Sequence, residues 1–255
     1  MEYGFCTGFA SVPLWQIKED MILDIKASGY DYPEFPVMSF AEMSEEEFSR
    51  LEKMASAPVA CNLFPSYIPL SDNKRDLDRV REYLDIAFTR ASRLSIGKII
   101  FGSGKARSFS SPTTLEEGKK NLYEAIEKAI IPKAKEYGIR VLVEPLTRGE
   151  CNIINTLLDG YETVKYFNDE NFLLMADLFH MKNNGENLET LKECLPSIRH
   201  IHIAGKDREL EATTKDPYLI QGLNLLKTLG YNGTISLETK DGDKKKVLQW
   251  LKTMI

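Results

Sequence analysis

Short apolar stretches of strand length alternate along the chain with longer segments in which apolar positions recur every three to four residues. The short stretches are typical of buried strands, and the longer segments are typical of amphipathic helices. Eight stretches are predicted as strands: residues 2–8, 30–35, 59–65, 98–104, 140–146, 172–180, 198–205 and 234–239. The clearest predicted helices are residues 13–29, 44–57, 72–95 and 113–138. Several of them begin at a Ser, Thr or Asp cap and end at a Gly.

The repeated alternation of strand and helix predicts an α/β fold, a (β/α)8 TIM barrel that forms a single domain over residues 1–255. Dividing 255 residues among eight units leaves about 32 each (255/8), close to the ~30 expected of a strand and helix repeat. A doubly wound open sheet is the alternative. It is disfavoured because no glycine-rich phosphate turn follows the first strand, and Gly-Ser-Gly at 102–104 lacks the rest of a dinucleotide-binding motif.

Composition narrows the classes of function. A net charge of −5 disfavours nucleic acid as a partner. No apolar run approaches the roughly 18 residues that span a bilayer, so no membrane segment is predicted. The first residues lack a basic segment followed by an apolar one, and a cytoplasmic location is expected.

The cysteines form no CxxC pair and are predicted to be reduced, mostly buried thiols: Cys6, Cys61, Cys151 and Cys194.

The last four predicted strands each end near a residue that can ligate a metal: Glu144, Asp177, His202 and Glu238. The carboxyl ends of parallel barrel strands meet at one face, where barrel enzymes place their chemistry. Taken alone, any one of these four residues could equally well be an exposed residue at the end of a strand as a metal ligand. Together they predict a catalytic site for one divalent metal ion. Carboxylates with one imidazole suit Mn2+, Mg2+ or Co2+ and leave octahedral positions for two substrate oxygens.

The chain has three histidines, and all of them fall in the sixth and seventh predicted strands. His202 is the ligand candidate. His200 lies two residues earlier, on the same side of the strand and one layer deeper, and is predicted to be a hydrogen-bonded core residue. His180 follows Asp177 by three residues, where it can face the cleft without touching the metal.

Four segments of the second half together resemble the xylose isomerase-like TIM barrels, and among them the ketose 3-epimerase group typified by D-tagatose and D-psicose 3-epimerases. They are residues 144–156 (EPLTRGECNIINT), 177–180 (DLFH), 202–208 (HIAGKDR) and 230–238 (GYNGTISLE). The resemblance implies a metal-dependent isomerase or epimerase with Mn2+ as the preferred ion and Mg2+, Co2+ or Zn2+ as alternatives. It also implies a sugar or sugar phosphate as substrate, and it leaves a homo-oligomer open.

The resemblance assigns Glu150, His180 and Arg208 to substrate hydroxyls at the carbonyl end of the sugar. In the mechanism that we expect, the metal polarises a ketose carbonyl and stabilises an enediolate. Glu144 and Glu238 act as the two catalytic acid–base groups, one removing the carbon-bound proton and the other returning a proton to the opposite face.

Several features leave the substrate open. Thr147 stands where the family often has Asn, and the loop at 209–219 lacks a Pro- and Gly-rich stretch common there. In the first half, the plausible pocket walls are Phe5, Cys6, Glu34 and Phe64. The basic residues that could meet a sugar phosphate are Lys105, Arg107 and Arg148.

Rival functions remain at this stage. Aldose–ketose isomerases, hydroxypyruvate isomerase and inosose or dehydroshikimate dehydratases use the same kind of ligand set. A sugar-binding protein without activity is disfavoured because every inferred ligand is an intact ligating residue. A phosphodiester hydrolase like endonuclease IV shares the barrel but builds a three-zinc cluster, which needs several histidines beyond the three of this chain.

Overall fold

The computed structural model describes residues 1–8 and 17–255 and contains eight parallel strands closed into a barrel in chain order. The strands are β1 (Glu2–Cys6), β2 (Tyr32–Pro36), β3 (Val59–Cys61), β4 (Lys98–Phe101), β5 (Arg140–Val143), β6 (Phe172–Asp177), β7 (Ile198–Ile203) and β8 (Thr234–Leu237). Because β1 pairs with both β2 and β8, no sheet edge is left open. The predicted (β/α)8 barrel is confirmed.

The connections between strands contain the helices. They are α1 (Glu19–Ala27), α2 (Val37–Glu42), α3 (Glu45–Met54), α4 (Leu77–Arg93), α5 (Gly104–Arg107), α6 (Leu115–Ala125), α7 (Ile131–Tyr137), α8 (Leu157–Phe167), α9 (Leu178–Asn183), α10 (Thr190–Cys194), α11 (Leu210–Thr213), α12 (Pro217–Thr228) and α13 (Lys244–Met254). The side chains of Ser44, Thr114 and Thr156 form capping boxes at α3, α6 and α8. Of the first predicted helix, residues 13–16 lie outside the described part of the chain. Within the described residues it was wrong at Ile17 and Lys18, which precede the first residue of α1, Glu19.

The predicted helix at 113–138 is α6 and α7 joined by a π-helical turn at Ile126–Ile130. Pro132 follows this turn and has no backbone N–H, so it cannot donate to the carbonyl of Lys128. That carbonyl instead accepts hydrogen bonds from the Arg81 guanidinium, at 3.3 Å from Nε and 3.0 Å from Nη2. The proline thus frees a backbone acceptor that ties this helix to α4.

The sixth predicted strand, 172–180, was too long at its carboxyl end. β6 stops at Asp177, and α9 begins at the next residue. The physical reason is local, because Asp177 Oδ1 accepts a hydrogen bond of 2.7 Å from the backbone N–H of Phe179 and thereby caps the helix. Asp177 therefore stands at the mouth of the barrel, and His180 lies on the first turn of α9.

The strand register brings the carboxyl ends of the last strands to one level. Asp177 pairs with His202 across β6 and β7, and Ile203 pairs with Leu237 across β7 and β8. Deeper strand residues, such as Ile99, Ile201 and Ile235, are fully buried. Across the described residues, none of the helices combines the length and apolar character that crossing a membrane requires.

Candidate metal centre and cavity

The structure brings Glu144, Asp177, His202 and Glu238 together at the carboxyl end of the barrel. One ligand atom from each residue lies within 4.8 Å of those of the other three. All four are buried, with exposed fractions of 6%, 2%, 1% and 8% respectively. Three buried carboxyl groups around one imidazole would repel one another strongly without a compensating cation.

The donor atoms in this cluster fit a divalent metal ion. His202 Nδ1 lies 3.7 Å from Glu144 Oε1 and 3.6 Å from Glu238 Oε2, which is too far for a good hydrogen bond. Within the described residues, His202 Nδ1 and Asp177 Oδ2 are buried and have no hydrogen-bond partner. Buried polar atoms normally have a partner, so these two atoms indicate a ligand between them. Oxygen donors with one nitrogen suit Mn2+, Mg2+ or Co2+.

Glu144 is held from two sides. Its backbone N–H donates 3.3 Å to the carbonyl of Phe101, continuing the β4–β5 ladder by one residue. Its carbonyl accepts 2.8 Å from Arg107 Nη2. Arg107 is fully buried behind the site and therefore does not face the cavity. This position removes Arg107 from the basic residues that could meet a sugar phosphate, because its side chain is buried rather than exposed on a loop.

His180 and Glu150 lie beside the ligand cluster. His180 Nε2 is 3.4 Å from Asp177 Oδ2, 3.8 Å from Glu144 Oε1 and 3.5 Å from Glu150 Oε2. His180 is buried, whereas the Glu150 side chain is 44% exposed. Partial burial raises the pKa of Glu150 above its usual value, although His180 and Arg208 oppose the shift. Both side chains face the space where a substrate would approach the cluster.

Arg208 contacts Glu238 directly. Its Nη1 donates 2.5 Å to Glu238 Oε2 and 3.0 Å to the Glu238 carbonyl, and its guanidinium lies 4.4 Å above the centre of the Phe179 ring. Two consecutive left-handed residues, Asp207 (φ 54°) and Arg208 (φ 56°), turn the side chain towards the site. Burial raises the pKa of Glu238, but Arg208 and His202 outweigh it and hold the pKa well below its usual value.

Glu34 is the site residue that the sequence interpretation placed wrongly. It was taken as a plausible pocket wall, yet it is fully buried on β2 beneath His202. Its Oε1 accepts a hydrogen bond of 2.8 Å from His202 Nε2. A lone acid between two apolar neighbours in a short strand is the sequence feature that could have drawn attention to it.

His200 lies one layer below His202, as predicted. It is fully buried, and its Nδ1 is 2.7 Å from Thr234 Oγ1. Burial lowers the pKa of His200 to about 4, although Glu34 opposes the shift. The lowered pKa favours the neutral ring, and His200 belongs to the barrel interior.

A cavity of about 380 Å³ opens above the ligand cluster. Its described lining includes Glu144, Glu150, His180, Arg208 and Glu238 on one side. The opposite side is formed by Met38, Asn62, Phe64, Ser66, Lys105 and the segment 102–104. Of the predicted pocket walls, Phe64 lines this cavity, while Phe5 and Cys6 lie buried outside its lining. Lys105 lines it too, whereas Arg148 borders a neighbouring pocket.

Known proteins show what this arrangement resembles. Over 106 residues, the chain is 27% identical to D-psicose 3-epimerase of Agrobacterium fabrum, a match that covers 41% of this chain and only 36% of that protein. Over 235 residues, it is 22% identical to a probable ketose 3-epimerase of Synechocystis sp., covering 90% of this chain and 81% of that one.

Structural similarity extends over the whole barrel. The crystal structure of D-allulose 3-epimerase from Methylomonas sp. in complex with D-allulose superposes with a TM-score of 0.82 at 17% identity, covering 100% of this chain and 97% of that one. At that identity, the likeness establishes the fold. A family model described as "Xylose isomerase-like TIM barrel" matches residues 22–254. The chain therefore belongs to the xylose isomerase-like TIM barrel family.

Proposed function

We propose that this protein is a divalent-metal-dependent sugar isomerase or epimerase that moves a proton at the carbon beside a ketose carbonyl. The observation that carries the proposal is that two buried glutamates, Glu144 and Glu238, place carboxylate oxygens 3.7 Å and 3.6 Å from the unpartnered Nδ1 of His202. The similarity to D-psicose 3-epimerase and to a probable ketose 3-epimerase supports a ketose as substrate and a 3-epimerase as the subtype.

The metal site in this proposal consists of Glu144, Asp177, His202 and Glu238. When bound there, a divalent ion, with Mn2+ preferred, supplies a Lewis acid that polarises the substrate carbonyl. The protein side chains do the remaining work. A carboxylate must lie on each face of the planar enediolate, since epimerisation removes a proton from one face and returns one to the other. Glu144 and Glu238 come from strands three apart and can meet these two faces.

Arg208 has two effects on Glu238. Its hydrogen bonds keep Glu238 ionised, and they also lower the basicity of the carboxylate. A substrate hydroxyl that accepts hydrogen bonds from Arg208 would weaken its contact with Glu238. Loss of that contact would make the Glu238 carboxylate a stronger base.

Glu150 and His180 complete the binding surface for the carbonyl end of the sugar. They lie 3.5 Å from each other above the cluster and both line the cavity. Lys105 on the opposite side could meet a phosphate at the distal end of the substrate, so both sugars and sugar phosphates remain within the proposal. Hydroxypyruvate isomerase and inosose or dehydroshikimate dehydratase chemistry are the alternatives on the same ligand set.

A substrate screen in D2O tests the proposal. Mn2+-loaded protein is incubated with ketoses, ketose phosphates, hydroxypyruvate and inosose, and products are followed by NMR. We expect one ketose to exchange a carbon-bound proton for deuterium beside its carbonyl and to yield its 3-epimer. An aldose product would instead show an isomerase, and loss of water would show a dehydratase. No exchange with any of these compounds would reject the proposal.

A further inference from the structure

The carboxylate of Glu34 lies inside the barrel without a cationic lysine or arginine partner among the described residues. Its exposed fraction is 0%, and the side chains nearest its oxygens are His200 and His202. Burying a carboxylate costs several kcal/mol unless hydrogen bonds or charge compensate it. Hydrophobic packing does not account for a charged side chain at this position, because a carboxylate gains no free energy from apolar burial.

The contact between Glu34 and His202 decides which ring nitrogen is free. His202 Nε2 donates to Glu34 Oε1 at 2.8 Å, so this nitrogen carries the proton. In a neutral ring the other nitrogen, Nδ1, then has a lone pair. Nδ1 is the nitrogen directed at the Glu144 and Glu238 carboxylates, and it has no partner in the described structure.

A column of polar side chains supports Glu34 from below. Glu34 Oε2 lies 3.2 Å from His200 Nε2, a close polar contact although neither atom makes a hydrogen bond within the described residues. His200 Nδ1 is 2.7 Å from Thr234 Oγ1, which accepts a hydrogen bond of 2.7 Å from Lys98 Nζ. The column runs from Lys98, at the amino-terminal end of β4, up the barrel interior to His202.

We propose that Glu34 is a positioning residue: it orients the His202 ring, keeps the proton on Nε2 and so presents Nδ1 to the metal. A carboxylate behind a ligating histidine also makes the ring a stronger ligand, and loss of such a partner weakens metal binding by about 10–100-fold. The inference rests on the proposed metal site but not on the identity of the substrate.

A different use of the same residues is a second ion. Glu34, His200 and His202 offer donor atoms within 4.8 Å of one another. The hydrogen-bond geometry argues against it, because His202 Nε2 already donates to Glu34 and cannot ligate an ion at the same time. The two interpretations differ in stoichiometry, one ion per chain against two.

Mn2+ titration of metal-free protein, followed by the EPR signal of free Mn2+, tests the inference without any turnover. We expect one ion per chain in the wild type and Mn2+ affinity weakened about 10–100-fold in Glu34→Gln, since glutamine keeps the shape and loses the charge. Asp216→Asn is the matched control. Asp216 is also buried (5% exposed) and paired with Lys182, but it lies outside the ligand cluster. The Mn2+ affinity of Asp216→Asn should therefore stay at the wild-type value.

A second measurement needs no variant. In wild-type protein loaded with diamagnetic Zn2+ and labelled with 15N-histidine, NMR should show the His202 proton on Nε2. A proton on Nδ1, unchanged affinity in Glu34→Gln, or two ions in the wild type that fall to one in Glu34→Gln would each overturn the role of Glu34 and leave the proposed function standing. A wild-type protein that binds no Mn2+ would instead reject the proposed metal site itself, and the role of Glu34 with it.

Discussion

The carboxylate of Glu144 packs against the bare backbone of Gly102. A Cβ atom built on Gly102 would lie only 2.1 Å from Glu144 Oε2 and 3.2 Å from its carboxyl carbon. Gly102 directly follows β4, and Glu144 directly follows β5, so the two residues are neighbours at the barrel mouth. The absence of a side chain at 102 is what lets Glu144 reach the ligand cluster.

This contact predicts a selective defect in Gly102→Ala. The added methyl group must displace the carboxyl end of Glu144, which is flexible, so the cost falls on the site more than on the fold. A misplacement of about 1 Å can cost about 10²-fold in rate. In Gly102→Ala we expect weaker Mn2+ binding and a rate of proton exchange lowered by about 10²-fold, with little change in Tm. Gly97→Ala is the control, since a Cβ there meets nothing within 4 Å at the other end of the same strand. Equal behaviour of the two variants would contradict the role of this contact.

Glu144→Gln and Glu238→Gln should each stop proton transfer. An amide oxygen can keep a weakened contact with a metal, but an amide cannot accept the proton. Loss of a general acid or base costs about 10²–10⁴-fold. Incorporation of deuterium beside the carbonyl measures the step directly, and the exposed Glu127→Gln serves as a control. Exchange at the wild-type rate in either variant would remove that glutamate from the mechanism.

His180→Ala and Arg208→Ala should slow turnover while leaving metal content near normal, because both residues are assigned to the substrate. His180 Nε2 nevertheless lies 3.4 Å from Asp177 Oδ2, close enough to make this a demanding test. Elemental analysis of each purified variant alongside its kcat gives the answer. Loss of the metal in His180→Ala would place that histidine among the metal ligands.

Removal of the metal should abolish activity, and activity should return with the ions that oxygen-rich sites prefer. We expect EDTA-treated protein to be inactive and to recover with Mn2+, Co2+ or Mg2+, because three of the four donor residues are carboxylates. Activity assays after dialysis and stepwise addition of each ion measure this. Full activity in protein shown to be metal-free would defeat the proposed mechanism.

The alternative function as a phosphodiester hydrolase requires three metal ions per chain. A three-zinc cluster needs histidines that this chain of three histidines does not have, and His200 is fully buried below the site. We therefore expect one tightly bound metal per chain and no cleavage of DNA at abasic sites. Elemental analysis and a gel assay with an abasic duplex check both points. Three metals per chain together with cleavage would favour the nuclease.

The position of the candidate site along the chain could be predicted from the sequence. A parallel barrel brings every carboxyl strand end to one face, so a ligating residue at the end of a strand must lie there whatever the details of packing. Glu144, Asp177, His202 and Glu238 could therefore be assigned to one cluster without coordinates. The helix caps were equally local, since Ser44 and Glu47 satisfy each other within one turn.

Contacts across the barrel were decided by the tertiary structure alone. Glu34 and His202 are 168 residues apart, and only the stagger of the closed strands places one carboxylate under one ring nitrogen. The same holds for Gly102 beneath Glu144 and for Arg107, whose burial no local pattern indicates. Side chains along each strand point alternately to the two faces of the sheet, so the sequence itself determines which residues face the barrel interior and its mouth. Which of them touch depends on side-chain distances that only the closed barrel defines.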